Sequence, residues 1–250
     1  MYIEQFRLDG KVAMVTGATG LLGSHLSRGL AEAGAEVVLV SRTRDRLEAL
    51  AADIGAAGGR AHALAADMAA PADVERACDE AWNLRGHVDV IVHNATPAQT
   101  AGAGIADVTP EQWSAQWDVI YQSAFTLFRR LGPRMAAGDG GSIVSVVSST
   151  GMIPQNGLFA YGMAKGALML LTKYAAREFG PKVRANCITP GTIDTAGDMA
   201  GHPIAKLTLP RIAAGRFGRS EECVGATIFL ASPAASYISG QVYLIDGGRF

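Results

Sequence analysis

Tyr161 and Lys165 stand four residues apart in the stretch FAYGMAKGAL, residues 159–168, among small and apolar neighbours. On a helix, residues four apart share a face, so the phenol and the ammonium project together. A phenol of pKa about 10 is a poor acid or base at neutral pH, but an adjacent ammonium stabilises the phenolate and lowers that value. The pair can then exchange a proton with a substrate oxygen. The same spacing also occurs on ordinary solvated helix faces, so the pair alone does not establish chemistry. Ser148, a hydroxyl thirteen residues upstream at the end of GSIVSVVSS, is a second candidate for the same site.

A third group of residues lies near the N-terminus. MVTGATGLLGSHLSRGLAEAGAEVVLVSR reads as strand, glycine turn, helix and second strand. Gly17, Gly20 and Gly23 let the backbone turn tightly and approach a pyrophosphate, whose charge meets the helix N-terminus; Thr19 and Leu22 lie within the same turn. The second strand ends in Ser41 and Arg42, where an NAD site usually places an acid to bond the ribose hydroxyls. A guanidinium bonds a 2′-phosphate that a carboxylate would repel, so NADP(H) is favoured, with NAD(H) still admissible. The alternative is that Arg42 and Arg44 are solvated charges opening the next helix. Asp67, followed by Met68, closes the third strand and either binds the adenine amino group or caps the helix beginning after Pro71.

These residues need a frame. Seven short runs rich in Val, Ile and Leu, namely KVAMVT, EVVLVS, RAHALA, VDVIVH, GSIVSVVS, VRANCIT and QVYLID, alternate with Ala-rich amphipathic segments at 21–33, 45–57, 72–84, 111–137 and 158–178. Most runs are continuously apolar rather than alternating, as strands covered on both faces are. The expected fold class is α/β: a single Rossmann-type domain over residues 1–250, with a doubly wound parallel sheet of about seven strands. Two stretches read as irregular surface, 96–104 and 191–215. The second follows a strand, where open sheets bind ligands, and is the expected substrate lid.

Composition narrows the partners. The chain has 250 residues, 49% hydrophobic and 18% charged, with a net charge of -1. No basic excess is present to pair with nucleic acid or an anionic membrane, and no apolar run reaches the ~20 residues of a membrane span. The start of the chain lacks a signal-peptide pattern, and three dispersed cysteines suit a reducing cytoplasm rather than a disulfide framework. Five scattered histidines without paired spacing give no expectation of a metal site.

The glycine turn, VHNA, Ser148 followed by YGMAK, ITPGTIDT and FLASPAASYISGQVYLIDGG together resemble the short-chain dehydrogenase/reductase family nearly end to end. In general layout the chain is similar to 3-oxoacyl-acyl-carrier-protein reductases and related carbonyl reductases. The resemblance implies an NAD(P)(H)-dependent oxidoreductase that interconverts a ketone and a secondary alcohol. Tyr161 would be the general acid or base, Lys165 would lower its pKa and hold the nicotinamide ribose, and Ser148 would bond the substrate oxygen. Pro190, Gly191 and Thr192 would run beside the nicotinamide, Ile193 would contact its amide through the backbone, and Thr195 would touch a phosphate. Asn94 and Ala95 would line the wall near the adenosine ribose. The family's pairing of the 111–137 and 158–178 helices implies a homodimer, and pairing through the C-terminal strand a homotetramer.

Three departures qualify the resemblance. The glycines follow T-G-x-x-G-x-x-G, with Leu21 where close relatives have a glycine. Thr96 replaces the final glycine of N-N-A-G, which predicts a reshaped pocket wall rather than a lost site. Ile120 stands where a helix asparagine usually helps hold a water that relays protons to the lysine. Either backbone and neighbours such as Ser123 hold that water, or the relay is weakened, or the site no longer performs redox chemistry. The last option is the rival reading: a non-catalytic or repurposed nucleotide-binding member of the fold.

Overall fold

The computed structural model describes residues 1–97, 103–194 and 205–249. Its centre is one parallel sheet of seven strands: β1 (Val12–Thr16), β2 (Glu36–Ser41), β3 (Arg60–Ala65), β4 (Val90–His93), β5 (Gly141–Val146), β6 (Val183–Pro190) and β7 (Val242–Ile245), in the order β3-β2-β1-β4-β5-β6-β7. All six pairings are parallel, with Val12 opposite Glu36 and Ala13 opposite Val90 on either side of β1. The chain first winds outward from β1 to β3, then returns to β4 on the other side of β1. That reversal opens a crevice between the carboxyl ends of β1 and β4, where ligands bind in such sheets.

The continuous apolar runs are explained by cover on both faces. Side chains alternate along a strand, so Val12 and Met14 join one core layer while Ala13 and Val15 join the other. The first layer packs under α3 (Pro71–Asn83), α5 (Ser123–Ala137) and α6 (Phe159–Glu178). The second packs under α1 (Leu21–Glu32), α2 (Arg44–Ala56) and α8 (Val224–Ala231). Among the described residues, no helix is long and apolar enough to cross a membrane.

The helix expected over 111–137 is three segments. Thr109 starts α4 (Pro110–Trp117) with a reciprocal capping box to Gln112, its side chain accepting from the Gln112 N–H and its own N–H donating to the Gln112 side chain. A π turn follows over Asp118–Gln122, and α5 then continues to Ala137. The widened turn falls on Ile120, the residue that departs from the family pattern. Of the expected lid, α7 (Ala205–Thr208) and the turn after it are described. There Ala205, Ile212 and Phe217 form a small apolar cluster, backed by Leu209.

Candidate active site

The cofactor turn begins where β1 ends. Gly17 has φ +65°, a left-handed conformation that only glycine adopts cheaply. Gly20 precedes the first residue of α1, and its N–H donates to the Gly17 carbonyl at 3.0 Å. Gly23, one turn into α1, lies against Gly17: an added Cβ would run into the Gly17 carbonyl oxygen and come within 2.8 Å of Asn94 Nδ2. Leu21, at the place of the family's middle glycine, is exposed and needs no special backbone. The spacing of three glycines therefore builds a turn pressed against β4, leaving room above it.

That room is a cleft of ≈ 430 Å³ over the sheet's carboxyl edge. It is lined by Gly17, Thr19, Gly20, Leu22 and Gly23 from the turn, and Ser41 and Arg42 from the end of β2. Asp67 and Met68 follow β3, and Asn94 and Ala95 follow β4. Eleven candidate positions spread across four strand ends thus meet in one place. Asn94 Nδ2 donates to the Thr16 and Gly17 carbonyls, tying β4 to the turn. Asp67 is not a helix cap: Ala70 precedes α3 without a side-chain cap, and the Asp67 carboxylate accepts from the Ala69 N–H at 3.0 Å. Thr96 is exposed on the cleft wall, and since no described residue other than glycine has positive φ, it sits there without left-handed strain.

Arg46 was not anticipated. It lines the same cleft, and its Nη2 donates to the Thr19 carbonyl at 2.8 Å. Thr19 and Ser41 exchange a hydroxyl hydrogen bond of 2.7 Å. The helical step from Arg42 and the ordinary look of a charged first turn hid Arg46, and only the return of α2 beside the glycine turn reveals it.

The candidate reacting end is built from β5 and α6. Lys165 is fully buried, its Nζ donating to the Val146 carbonyl at 2.7 Å and lying 5.7 Å from the centre of the Tyr161 ring. Burial pulls the ammonium down to about 7. The turn after β5 lies directly on this helix. A Cβ at Gly151 would come within 2.7 Å of the Gly166 nitrogen, and one at Gly162 within 2.9 Å of the Thr150 carbonyl. Small residues in YGMAKG thus let the turn that follows Ser148 pack directly on the helix that bears Tyr161 and Lys165. Ser148 Oγ accepts from the Thr150 hydroxyl at 2.8 Å and the Thr150 N–H at 3.3 Å, leaving its own proton to donate.

After β6, Pro190 and Gly191 continue along the sheet edge, where a Cβ on Gly191 would meet Asp246 Cα at 2.7 Å. Ile193 bridges Gly218 in parallel: the Gly218 N–H donates to the Thr192 carbonyl and the Asp194 N–H to the Gly218 carbonyl. This pattern turns the N–H and carbonyl of Ile193 itself to the opposite side. Thr195 lies outside the described residues, as do 98–102 of the predicted surface loop. The Ser123 hydroxyl donates to the Val119 carbonyl at 2.6 Å, and Ser123 lines a hollow shared with Met68 and Pro71.

A parallel sheet with a glycine turn at its switch point defines a dinucleotide-binding α/β protein. The family model described as enoyl-(acyl carrier protein) reductase matches residues 17–249. An uncharacterized oxidoreductase of Mycobacterium tuberculosis is 34% identical over 99% of this chain and 95% of its own length. D-threitol dehydrogenase of Mycolicibacterium smegmatis is 34% identical, over 97% of this chain and 94% of its own. A gluconate 5-dehydrogenase of Burkholderia cenocepacia, solved with NADP and tartrate, superposes with a TM-score of 0.92 at 32% identity, covering 100% of this chain and 98% of that one. The chain belongs to the short-chain dehydrogenase/reductase family, and its activity is that of an NAD(P)-dependent oxidoreductase.

The residues present fit a nicotinamide dinucleotide, since glycines without side chains let the turn press against β4 and leave a cleft of ≈ 430 Å³ above it. Gly23→Ala is therefore expected to remove the thermal stabilisation that NADPH confers on the wild-type protein. A thermal-shift titration checks this, because a ligand that binds only the folded state raises its melting temperature.

Proposed function

We propose that this oxidoreductase interconverts a ketone and a secondary alcohol, prefers NADP(H) to NAD(H), and uses Tyr161 as the proton-transferring residue. One observation supports this most: a fully buried Lys165 beneath the Tyr161 ring, on a helix face against which the Ser148 turn is packed. A bound nicotinamide supplies the hydride in reduction and accepts it in oxidation. Ser148 donates its proton to the carbonyl oxygen and orients it. The Tyr161 hydroxyl protonates that oxygen as it gains charge, and in the reverse direction takes the alcohol's proton. Lys165 stabilises the phenolate left behind and holds the nicotinamide ribose.

Pro190, Gly191 and Ile193 would flank the nicotinamide, with Thr195 reaching a phosphate. Asp67 and Met68 would bound the adenine, and Asn94 and Ala95 its ribose. Residues 191–215 would cover the substrate, the whole chain acting as one unit. The groove between α5 and α6, edged by exposed Phe125, Leu170 and Tyr174, would be the dimer contact, and exposed Tyr237 and Leu244 near β7 a second one. Three buried free thiols suit a reducing cytoplasm.

The test is to mix the protein with NADPH and a panel of ketones, β-ketoacyl thioesters and quinones and follow the loss of nicotinamide absorbance. Turnover of a carbonyl supports the proposal. A folded protein that binds NADPH and turns over none of them is the repurposed nucleotide-binding protein instead.

Cofactor preference has its own test. A charge-assisted hydrogen bond is worth about 1.5–3 kcal/mol, so Arg42→Ala should lower kcat/KM for NADPH by about tenfold or more. Arg46→Ala should do the same to a smaller degree, since its Thr19 contact holds it beside the cleft. Steady-state assays with both cofactors check this: values for NADH should stay within about twofold, because NADH lacks the phosphate these cations would meet.

A further inference from the structure

His93 ends β4 as a fully buried side chain, and nothing in the proposed chemistry uses it. Its imidazole spans two elements: Nδ1 lies 3.1 Å from the Thr16 hydroxyl and Nε2 3.0 Å from the Ile120 carbonyl. Counting protons assigns the roles. Thr16 Oγ1 already accepts the N–H groups of Asn94 and Ala95, each at 3.1 Å, which fills both of its lone pairs. Its own proton must therefore go to Nδ1, and the ring proton on Nε2 is donated to Ile120. Burial, and next the positive charge of Lys165, hold the imidazole pKa down to about 3, so the ring stays neutral with one donor and one acceptor, both engaged.

Each end of this bridge reaches a different half of the site. Thr16 adjoins Gly17, and Asn94, whose N–H meets the same hydroxyl, holds the Thr16 and Gly17 carbonyls with its side chain. At the other end, Ile120 sits in the π turn, where the Ser123 N–H reaches back five residues to the Asp118 carbonyl. Turns of this kind gather at functional sites. The Ile120 side chain packs in the core layer that holds Ala164 and borders Tyr161. Since that side chain is apolar, the polar join between helix and strand depends on the imidazole.

We propose that His93 is a positioning residue that ties the π turn behind Tyr161 and Lys165 to the glycine turn, so that the cofactor seat and the proton-transfer pair keep one geometry. This rests on the reading that the glycine turn seats NADP(H) and that Tyr161 transfers the proton.

Three substitutions separate the two ends. His93→Asn keeps an acceptor at the Nδ1 position for Thr16, His93→Gln keeps a donor at the Nε2 position for Ile120, and His93→Leu keeps neither. NADPH dissociation constants from fluorescence titration, kcat on the best carbonyl of the panel, and melting temperatures would be measured for each. Displacements well under an ångström at a reacting site are costly, so His93→Gln should weaken NADPH about tenfold with kcat near wild type, and His93→Asn should lower kcat about tenfold with NADPH binding kept. His93→Leu should show both losses. Wild-type dissociation constants and kcat in the Asn and Gln variants, or losses of both that merely follow melting temperature, would overturn the proposal. A wild-type protein that binds NADPH without turnover would overturn the proton-transfer reading alone, and the contrast in NADPH binding between the Asn and Gln variants would still decide for or against the coupling.

Discussion

Tyr161→Phe is expected to lower carbonyl turnover by about 10²–10⁴-fold, the usual contribution of a positioned acid or base, while NADPH binds as before. The substitution removes one hydroxyl and keeps the ring, which packs at the edge of the core layer under α6 and lies 5.7 Å from Lys165 Nζ. Packing and the cation–ring contact therefore persist, and melting temperature should change little. Ser148 cannot take over the proton transfer, because an aliphatic hydroxyl is far too weak an acid or base at neutral pH; it can only orient the carbonyl. Absorbance assays at saturating NADPH, with a thermal-shift control for cofactor binding, check the result. Turnover within about tenfold of wild type would remove Tyr161 from the proton-transfer role.

Lys165→Met should produce two opposite effects: turnover falling by about a hundredfold or more, and the cofactor-free protein becoming more stable. The ammonium is fully buried, donates to the Val146 carbonyl, and has no carboxylate partner among the described residues. A buried charge met by one carbonyl and a ring face, without a counter-charge among the described residues, costs stability, and Met replaces it with an apolar chain of similar length.

The effect has a pH signature. The folded-state pKa of Lys165 is about 7 against an ordinary 10.5. Between those values the unfolded chain holds a proton that the folded chain gives up, so stability rises with pH. The slope contributed is at most one proton, or about 1.4 kcal/mol per pH unit. Other buried groups leave a clear window. His93, held down to about 3 from 6.5, adds its own rise only below the upper value. The thiols of Cys78 and Cys187, pushed up by burial to about 12, and of Cys223, to about 11, reduce stability only above the ordinary thiol value of 9.0. Urea unfolding at pH 7, 8 and 9 should therefore show a rise in the wild type that is absent in Lys165→Met. Parallel curves for the two proteins would mean that Lys165 is not the buried titrating charge.

Much of this protein is determined locally and so is legible in its sequence. Continuous apolar strands, helices of amphipathic period and punctuating glycines specify an α/β sheet without any knowledge of contacts, and all seven strands lie within a few residues of where the runs fall. Gly17 and Gly23 signal a cofactor turn because their conformation and close approach exclude a side chain. Tyr161 and Lys165 share a face because a helix has a fixed period.

The tertiary structure decided what depends on separate elements meeting. Asp67 offered two roles to the sequence, and only the turn onto Ala69 excluded the helix cap. Arg46 became a cleft residue through the docking of α2 beside Thr19, a contact 27 residues apart in the chain. Ile120 read as the loss of a polar side chain. The fold adds that its carbonyl lies in a π turn and meets the ring of His93, a residue 27 positions away that reads in isolation as one more scattered histidine. Side-chain type and spacing report short-range geometry, whereas a buried proton network depends on which strand end faces which turn, and only the packed chain specifies that.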